Sequence, residues 1–303
     1  MSARDHVRQA FSRLPPGVRR QVLHGLGRYA PWEPQFDFTP PPLSPGEVSG
    51  PPDFVGIGVQ KAGTTWWYEL MLAHPEIASH PDIHKERHFF DRFGARSMQP
   101  SDIEQYFGWF PRPRGSMTGE WTPDYLAYPW VPALLERAAP DTRLLVLLRD
   151  PVERFRSGLA HDQRMGTPRD GDSIAAAVQR GFYKRALDGW LEHFDREQFL
   201  ILQHERCVVD RDRQLDLTFA HLGLSPHRPP GPPSVPEVPR SPREALPADL
   251  TRQLVDLYTD DVAALATWLP DLDLTLWPHF AYMVGADGRS EPAGGSNSPT
   301  ARP

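Results

Sequence analysis

The chain has 303 residues, enough for one domain of ordinary to large size with appendages, and 39% of them are hydrophobic, so a substantial core is available. A net charge of −6 gives no bulk attraction for nucleic acid, and no nucleic-acid partner is expected, although a local basic pocket for a phosphorylated ligand is compatible with it. The single cysteine, Cys207, excludes an intramolecular disulfide and a cysteine metal cluster, and reads as a small core residue in a reducing, cytoplasmic setting.

In chain order, residues 4–29 carry Val7, Phe11, Val18, Val22 and Leu26 at helical spacing and predict one or two short helices without the apolar segment of a secretory signal. Residues 31–52 are crowded with proline, which removes backbone donors and fixes φ, so they predict a stiff extended arm with no regular element. Asp53 opens the core. Phe54 to Val59 is a short apolar run that ends in a glycine-bearing turn, and Thr64 to Leu72 then reads as a helix. A second run, Arg143 to Leu148, stops at Arg149-Asp150-Pro151, with a helix starting at Val152. Leu144 to Leu148 is the longest aliphatic stretch, far short of the roughly 20 residues of a membrane span, so no integral membrane association is expected. A third run, Phe199 to Leu202, ends at His204-Glu205. Residues 225–247, with nine prolines, predict a long irregular stretch; 249–269 return to helical spacing, and 285–303 read as a disordered tail. Buried runs alternating with helices indicate an α/β fold with a mostly parallel sheet, in which ligands bind at the carboxyl ends of strands.

Two candidate sites follow such strands. In Gly58-Val-Gln-Lys61-Ala62-Gly63-Thr64-Thr65, glycines let backbone N–H groups converge on an anion at a helix N-terminus. The spacing of Gly58 and Gly63 matches an ATP-type phosphate loop, but position 64 is threonine and the lysine lies three residues earlier, at Lys61. A lysine inside the loop suits the bridging oxygen of a shorter 5′-phosphosulfate and could neutralise charge on that leaving oxygen without a metal. A plain strand–loop–helix turn with a solvated Lys61 is the bland alternative. In Arg149-Asp-Pro-Val-Glu-Arg-Phe-Arg-Ser157, Arg149 can fork onto a phosphate, Pro151 suits a first helical turn, and Ser157 can add a hydroxyl two turns on. Two anion sites on one sheet fit a ligand with two separated phosphate groups.

At these residues the chain resembles the PAPS-dependent sulfotransferases, where PAPS is 3′-phosphoadenosine-5′-phosphosulfate. Lys61-Ala-Gly-Thr-Thr-Trp66 resembles the 5′-phosphosulfate loop, and Arg149 to Ser157 the 3′-phosphate segment. Lys85-Glu-Arg-His-Phe-Phe-Asp91 is similar to the Lys-Glu-x-His-Phe-Phe-Asp stretch of the heparan sulfate branch, and Gly119-Glu-Trp-Thr-Pro-Asp-Tyr125 to its Glu-Lys-Thr-Pro-x-Tyr segment. Gly181-Phe-Tyr183, Trp190 and Phe194 follow the same pattern.

The resemblance implies a single P-loop-nucleotide-kinase-like domain over 53–284, with a central mostly parallel sheet flanked by helices, in a bacterial-type soluble member. It implies PAPS as sulfuryl donor without a metal, and a hydroxyl or amine of a small-molecule or glycan acceptor. Lys61, Ala62, Gly63, Thr64, Thr65 and Trp66 would meet the phosphosulfate; Arg149 and Ser157 would hold the 3′-phosphate. Glu86 would be the general base, with Lys85 and His88 beside it, and Arg240 and Arg243 would be lid contacts. The chemistry supports Glu86 separately, because a neutral hydroxyl needs a proton acceptor during attack and a carboxylate flanked by Lys85, Arg87 and His88 stays ionised. The rival readings are an ATP-dependent kinase using Asp150 for magnesium, and a non-catalytic nucleotide-binding protein.

Overall fold

Four parallel strands form the centre of the protein, in the computed structural model that describes residue 11 and residues 14–25, 39–80, 84–94, 96–166, 171–229 and 245–284. In the order β4 (Gly119–Trp121), β2 (Phe54–Gly58), β5 (Arg143–Leu148) and β6 (Phe199–Gln203), every neighbouring pair runs parallel. All five residues of β2 and the last five of β5 are buried. Unbroken apolar runs are what a sheet covered on both faces requires, and each fully buried leucine or valine contributes roughly 1.5–3 kcal/mol.

Helices supply the cover. α1 is Pro16–Gly25, α2 is Thr64–Leu72, α3 is Pro100–Phe107, α4 is Val131–Ala138 and α5 is Pro151–Met165. They are followed by α6 (Gly171–Gln179), α7 (Tyr183–Leu191), α8 (His204–Val209), α9 (Arg211–Leu222) and α10 (Ala248–Trp268). One hydrophobic cluster runs from Phe54 to Phe280 and includes Trp67, Trp121, Trp190 and Trp277. Phe89 and Phe90 are completely buried in it, as core rather than as a platform for acceptor. Among the described residues no helix is long and apolar enough to cross a membrane.

One expectation needs correction. The proline-rich arm is not wholly irregular: β1 (Glu47–Val48) pairs antiparallel with β3 (Arg112–Pro113). The reason is local. Gly46 turns at φ 91°, and the Glu47 carboxylate accepts from the Ser44 N–H at 2.7 Å, so two proline-free residues are presented to a partner strand. The sheet also includes β4, a three-residue strand that periodicity does not reveal. It pairs with β2 through Phe54↔Gly119, Val55↔Glu120 and Gly56↔Trp121.

The topology places the sites. The chain leaves β2 for β4 on one side and then returns to β5 on the other, so the carboxyl end of β2 lies at a switch point in strand order.

Candidate active site

The loop after β2 is set by backbone geometry. Lys61 has φ 70° and Gly63 φ 89°, both in the left-handed region. A Cβ at Gly63 would meet His204 Nδ1 at 2.9 Å, so only glycine fits there without a shift. Gly63 caps α2 with no side-chain hydrogen bond, which leaves the first-turn N–H groups facing the loop as donors for an anion. From behind, Trp121 Nε1 donates to the Gly58 carbonyl at 3.1 Å, and the same ring excludes any side chain at Gly56, where a Cβ would lie 2.1 Å away. Trp121 stands where the similar heparan-branch segment carries lysine, and it is fully buried against the sheet. Trp66 is buried with its ring edge-on to Trp67 and His204.

The segment after β5 reaches the same loop. Arg149 Nη1 donates to the Lys61 carbonyl at 2.9 Å, and its Nη2 lies 3.8 Å from Glu153 of α5. The Arg149 carbonyl accepts from Tyr183 Oη at 2.8 Å. Asp150 caps α5, with Oδ1 accepting from the N–H groups of Val152 (2.9 Å) and Glu153 (3.1 Å). Ser157 is half-buried one turn beyond Glu153 on the same helix face. Asp150 itself is completely buried, and its Oδ2 accepts from both the N–H and Nδ1 of His279. Neither Asp150 oxygen is left for a magnesium ion.

The third component lies beside β4. The Trp121 N–H donates to the Lys85 carbonyl at 3.1 Å, and the Arg87 N–H donates to Thr122 Oγ1 at 2.9 Å. This alignment turns Lys85 toward the phosphate loop, where Nζ donates to Thr64 Oγ1 and Thr65 Oγ1, each at 3.1 Å. Glu86 is bracketed by Lys85 Nζ at 2.9 Å and His88 Nε2 at 3.3 Å. The other imidazole nitrogen, Nδ1, faces Asp91 at 2.7 Å. Behind them the buried Glu120 accepts from Thr122 Oγ1 (2.6 Å), Tyr106 Oη (2.7 Å) and Tyr125 Oη (3.3 Å). The buried Arg87 guanidinium packs over the rings of Trp109 and Phe110.

These contacts set the charges. Burial pushes the Glu86 carboxyl up, but hydrogen bonds from His88 and Lys85 outweigh it and bring it down to about 2. Hydrogen bonds to Asp91 and Glu86 raise His88 to about 10, so it carries a proton on both nitrogens at neutral pH. Burial lowers Lys85 despite the neighbouring Glu86, and burial raises Glu120 despite the nearby Arg87. The site therefore presents an ionised carboxylate between two cations, next to a loop of backbone and hydroxyl donors.

Of the residues singled out from sequence, Lys61, Gly63, Thr64, Thr65, Lys85, Glu86, His88 and Arg149 are linked by the contacts above. Ala62 is buried inside the loop. Arg240 and Arg243 lie outside the described residues. Sequence reasoning missed Asp91, Glu120 and Trp121 as working parts, although all three stand in the quoted segments. It also missed Glu205, Trp277 and His279, for which spacing carries no signal.

The sulfotransferase domain family model matches residues 51–229. Heparan sulfate glucosamine 3-O-sulfotransferase 6 of Mus musculus is 33% identical over 196 residues, 58% of this chain and 55% of that protein. Heparan sulfate glucosamine 3-O-sulfotransferase 3B1 of the same organism is 31% identical over 223 residues, 66% of this chain and 54% of that protein. The chain thus spans about half the length of the curated relatives it matches. A solved sulfotransferase from Alicyclobacillus acidocaldarius shares the fold, with a TM-score of 0.61 at 24% identity over 75% of this chain and 98% of that one.

Proposed function

The chain belongs to the sulfotransferase family, and on that premise we propose that it moves a sulfuryl group from PAPS to a hydroxyl, or an amine, of a small-molecule or carbohydrate acceptor. The observation that carries the reading is the hydrogen bond from Arg149 to the Lys61 carbonyl, which joins the loop after β2 to the segment after β5. One ligand with a phosphosulfate and a separate phosphate suits that pair.

In this reading the loop N–H groups, Lys61, Thr64 and Thr65 take the phosphosulfate, Trp66 backs the loop, and Arg149 and Ser157 take the 3′-phosphate. The left-handed turn at Gly63 and the uncapped start of α2 support the fit to an anion. Glu86 accepts the hydroxyl proton as the acceptor oxygen bonds to sulfur. Lys61 meets the charge that builds on the phosphate oxygen as the sulfur–oxygen bond breaks, so a sulfate ester and 3′,5′-adenosine bisphosphate leave. Lys85 touches both the loop hydroxyls and Glu86. Drawing its ammonium toward the sulfonate would relieve Glu86 of one cation and raise its basicity. His88 holds the other carboxylate oxygen.

Residues 53–284 form the transferase domain in this proposal, supported by the single cluster from Phe54 to Phe280. The one cysteine, buried, suits a cytoplasmic setting. A kinase reading is disfavoured by the threonine at position 64 and by the four donors already on Asp150.

The test is thermal shift followed by transfer. At about 100 times its Kd, 3′,5′-adenosine bisphosphate should add roughly 2.7 kcal/mol of stability. Labelled PAPS should then deliver label to one member of a panel of hydroxyl and amine acceptors, read by mass spectrometry. Stabilisation by ATP–magnesium with none from the bisphosphate would overturn the proposal.

A further inference from the structure

The domain match ends at residue 229, yet the segment after α10 returns to the back of the Arg149 site. There Trp277 Nε1 donates to Glu205 Oε2 at 3.0 Å, and Glu205 Oε1 accepts from the Asp150 N–H at 3.1 Å. Two residues on, His279 gives Asp150 Oδ2 two donors, its own N–H at 3.1 Å and Nδ1 at 3.0 Å. With Tyr183 on the Arg149 carbonyl, both polar groups of the Arg149–Asp150 peptide unit are held by residues from distant parts of the chain.

The arrangement has an electrostatic consequence. Asp150 and Glu205 are carboxylates directly beside the arginine that would meet a phosphate. A carboxylate with free lone pairs could turn onto the Arg149 guanidinium and compete with a phosphate for it, and donors on those oxygens hold them in place instead. The C-terminal segment supplies three of those donors: one from Trp277 and two from His279.

We infer that Trp277 and His279 are positioning residues for recognition of the 3′-phosphate, so that the nucleotide site includes a C-terminal segment outside the matched domain. They act through Glu205 and Asp150 on the placement of Arg149. This inference rests on the nucleotide proposed above.

The experiment compares two probes on the full chain, 3′,5′-adenosine bisphosphate and AMP, which lacks the 3′-phosphate. Calorimetry on the unaltered protein should show a clear preference for the bisphosphate. His279→Ala should reduce that preference by about tenfold, the scale of one charge-assisted hydrogen bond, while AMP affinity stays within about twofold. His279→Asn, which restores a donor, should recover most of the preference. Trp277→Phe keeps an aromatic ring but loses the donor, and it should act in the same direction as His279→Ala. It also provides a second reading if His279→Ala does not fold. An unchanged preference in these variants, or an equal loss for both nucleotides, overturns the inference and leaves the proposed function standing. An unaltered protein that does not prefer the bisphosphate overturns the nucleotide assignment and this inference together.

Discussion

Arg149 Nη1 donates to the backbone carbonyl of Lys61 at 2.9 Å, across 88 residues of sequence. The contact is a consequence of strand order, since β2 and β5 are hydrogen-bonded neighbours and each residue lies just past the carboxyl end of its strand. The rest of the guanidinium can meet a second partner, and among the described residues Glu153 lies 3.8 Å from its Nη2. Arg149→Ala should therefore weaken binding of 3′,5′-adenosine bisphosphate by about 10- to 100-fold, the range of a charge-assisted hydrogen bond or a bidentate pair. Arg149→Lys should restore only part of the loss, because an ammonium lacks the planar fork. Isothermal titration calorimetry measures both.

Glu86→Gln removes the proton acceptor and keeps the shape of the side chain. Turnover should fall by about 10²- to 10⁴-fold, while bisphosphate affinity changes by less than about threefold. The two effects separate in a transfer assay run beside a binding assay. Intact turnover would show that the base lies elsewhere.

His88 should remain protonated well above the ordinary histidine range, because both ring nitrogens face carboxylates. Its folded value, raised to about 10, lies above its unfolded one, so its stabilising contribution is complete below the unfolded value and disappears as pH rises through about 10. For Glu86, lowered to about 2, the sign reverses: the contribution is present above the ordinary carboxylate value and is lost as pH falls through about 2. Imidazole resonances followed by NMR should show His88 titrating near 10. Asp91→Asn should bring that midpoint down. A wild-type midpoint in the ordinary histidine range would contradict the ion-pair geometry.

Gly63→Ala places a Cβ on a residue at φ 89° and drives it against His204, 2.9 Å away. The left-handed conformation alone costs about 1–2 kcal/mol. For a domain of this size that corresponds to a fall in Tm of roughly 2–8 °C. Because the strain lies at the start of α2, nucleotide affinity should fall as well. A calorimetric melt with and without bisphosphate reads both effects.

Local chemistry in the sequence determined much of this protein. The runs Phe54–Gly58 and Leu144–Leu148 are apolar throughout and became buried strands, and Thr64–Leu72 became the helix its spacing indicates. The displaced lysine and the arginine after a strand singled out the candidate site, because loops at strand ends carry their chemistry in a few consecutive residues, and the family resemblance added the Lys-Glu-x-His segment. Tertiary structure alone decided the rest. The three residues of β4 are too few for a period to show, and their place beside β2 follows from pairing rather than propensity. The role of Trp121 depends on the Gly58 carbonyl lying opposite it, and that of His279 on Asp150, 129 residues away. A hydrogen bond between groups so far apart in the chain leaves no mark on local composition, since it forms only when the sheet and the C-terminal segment have closed around one core.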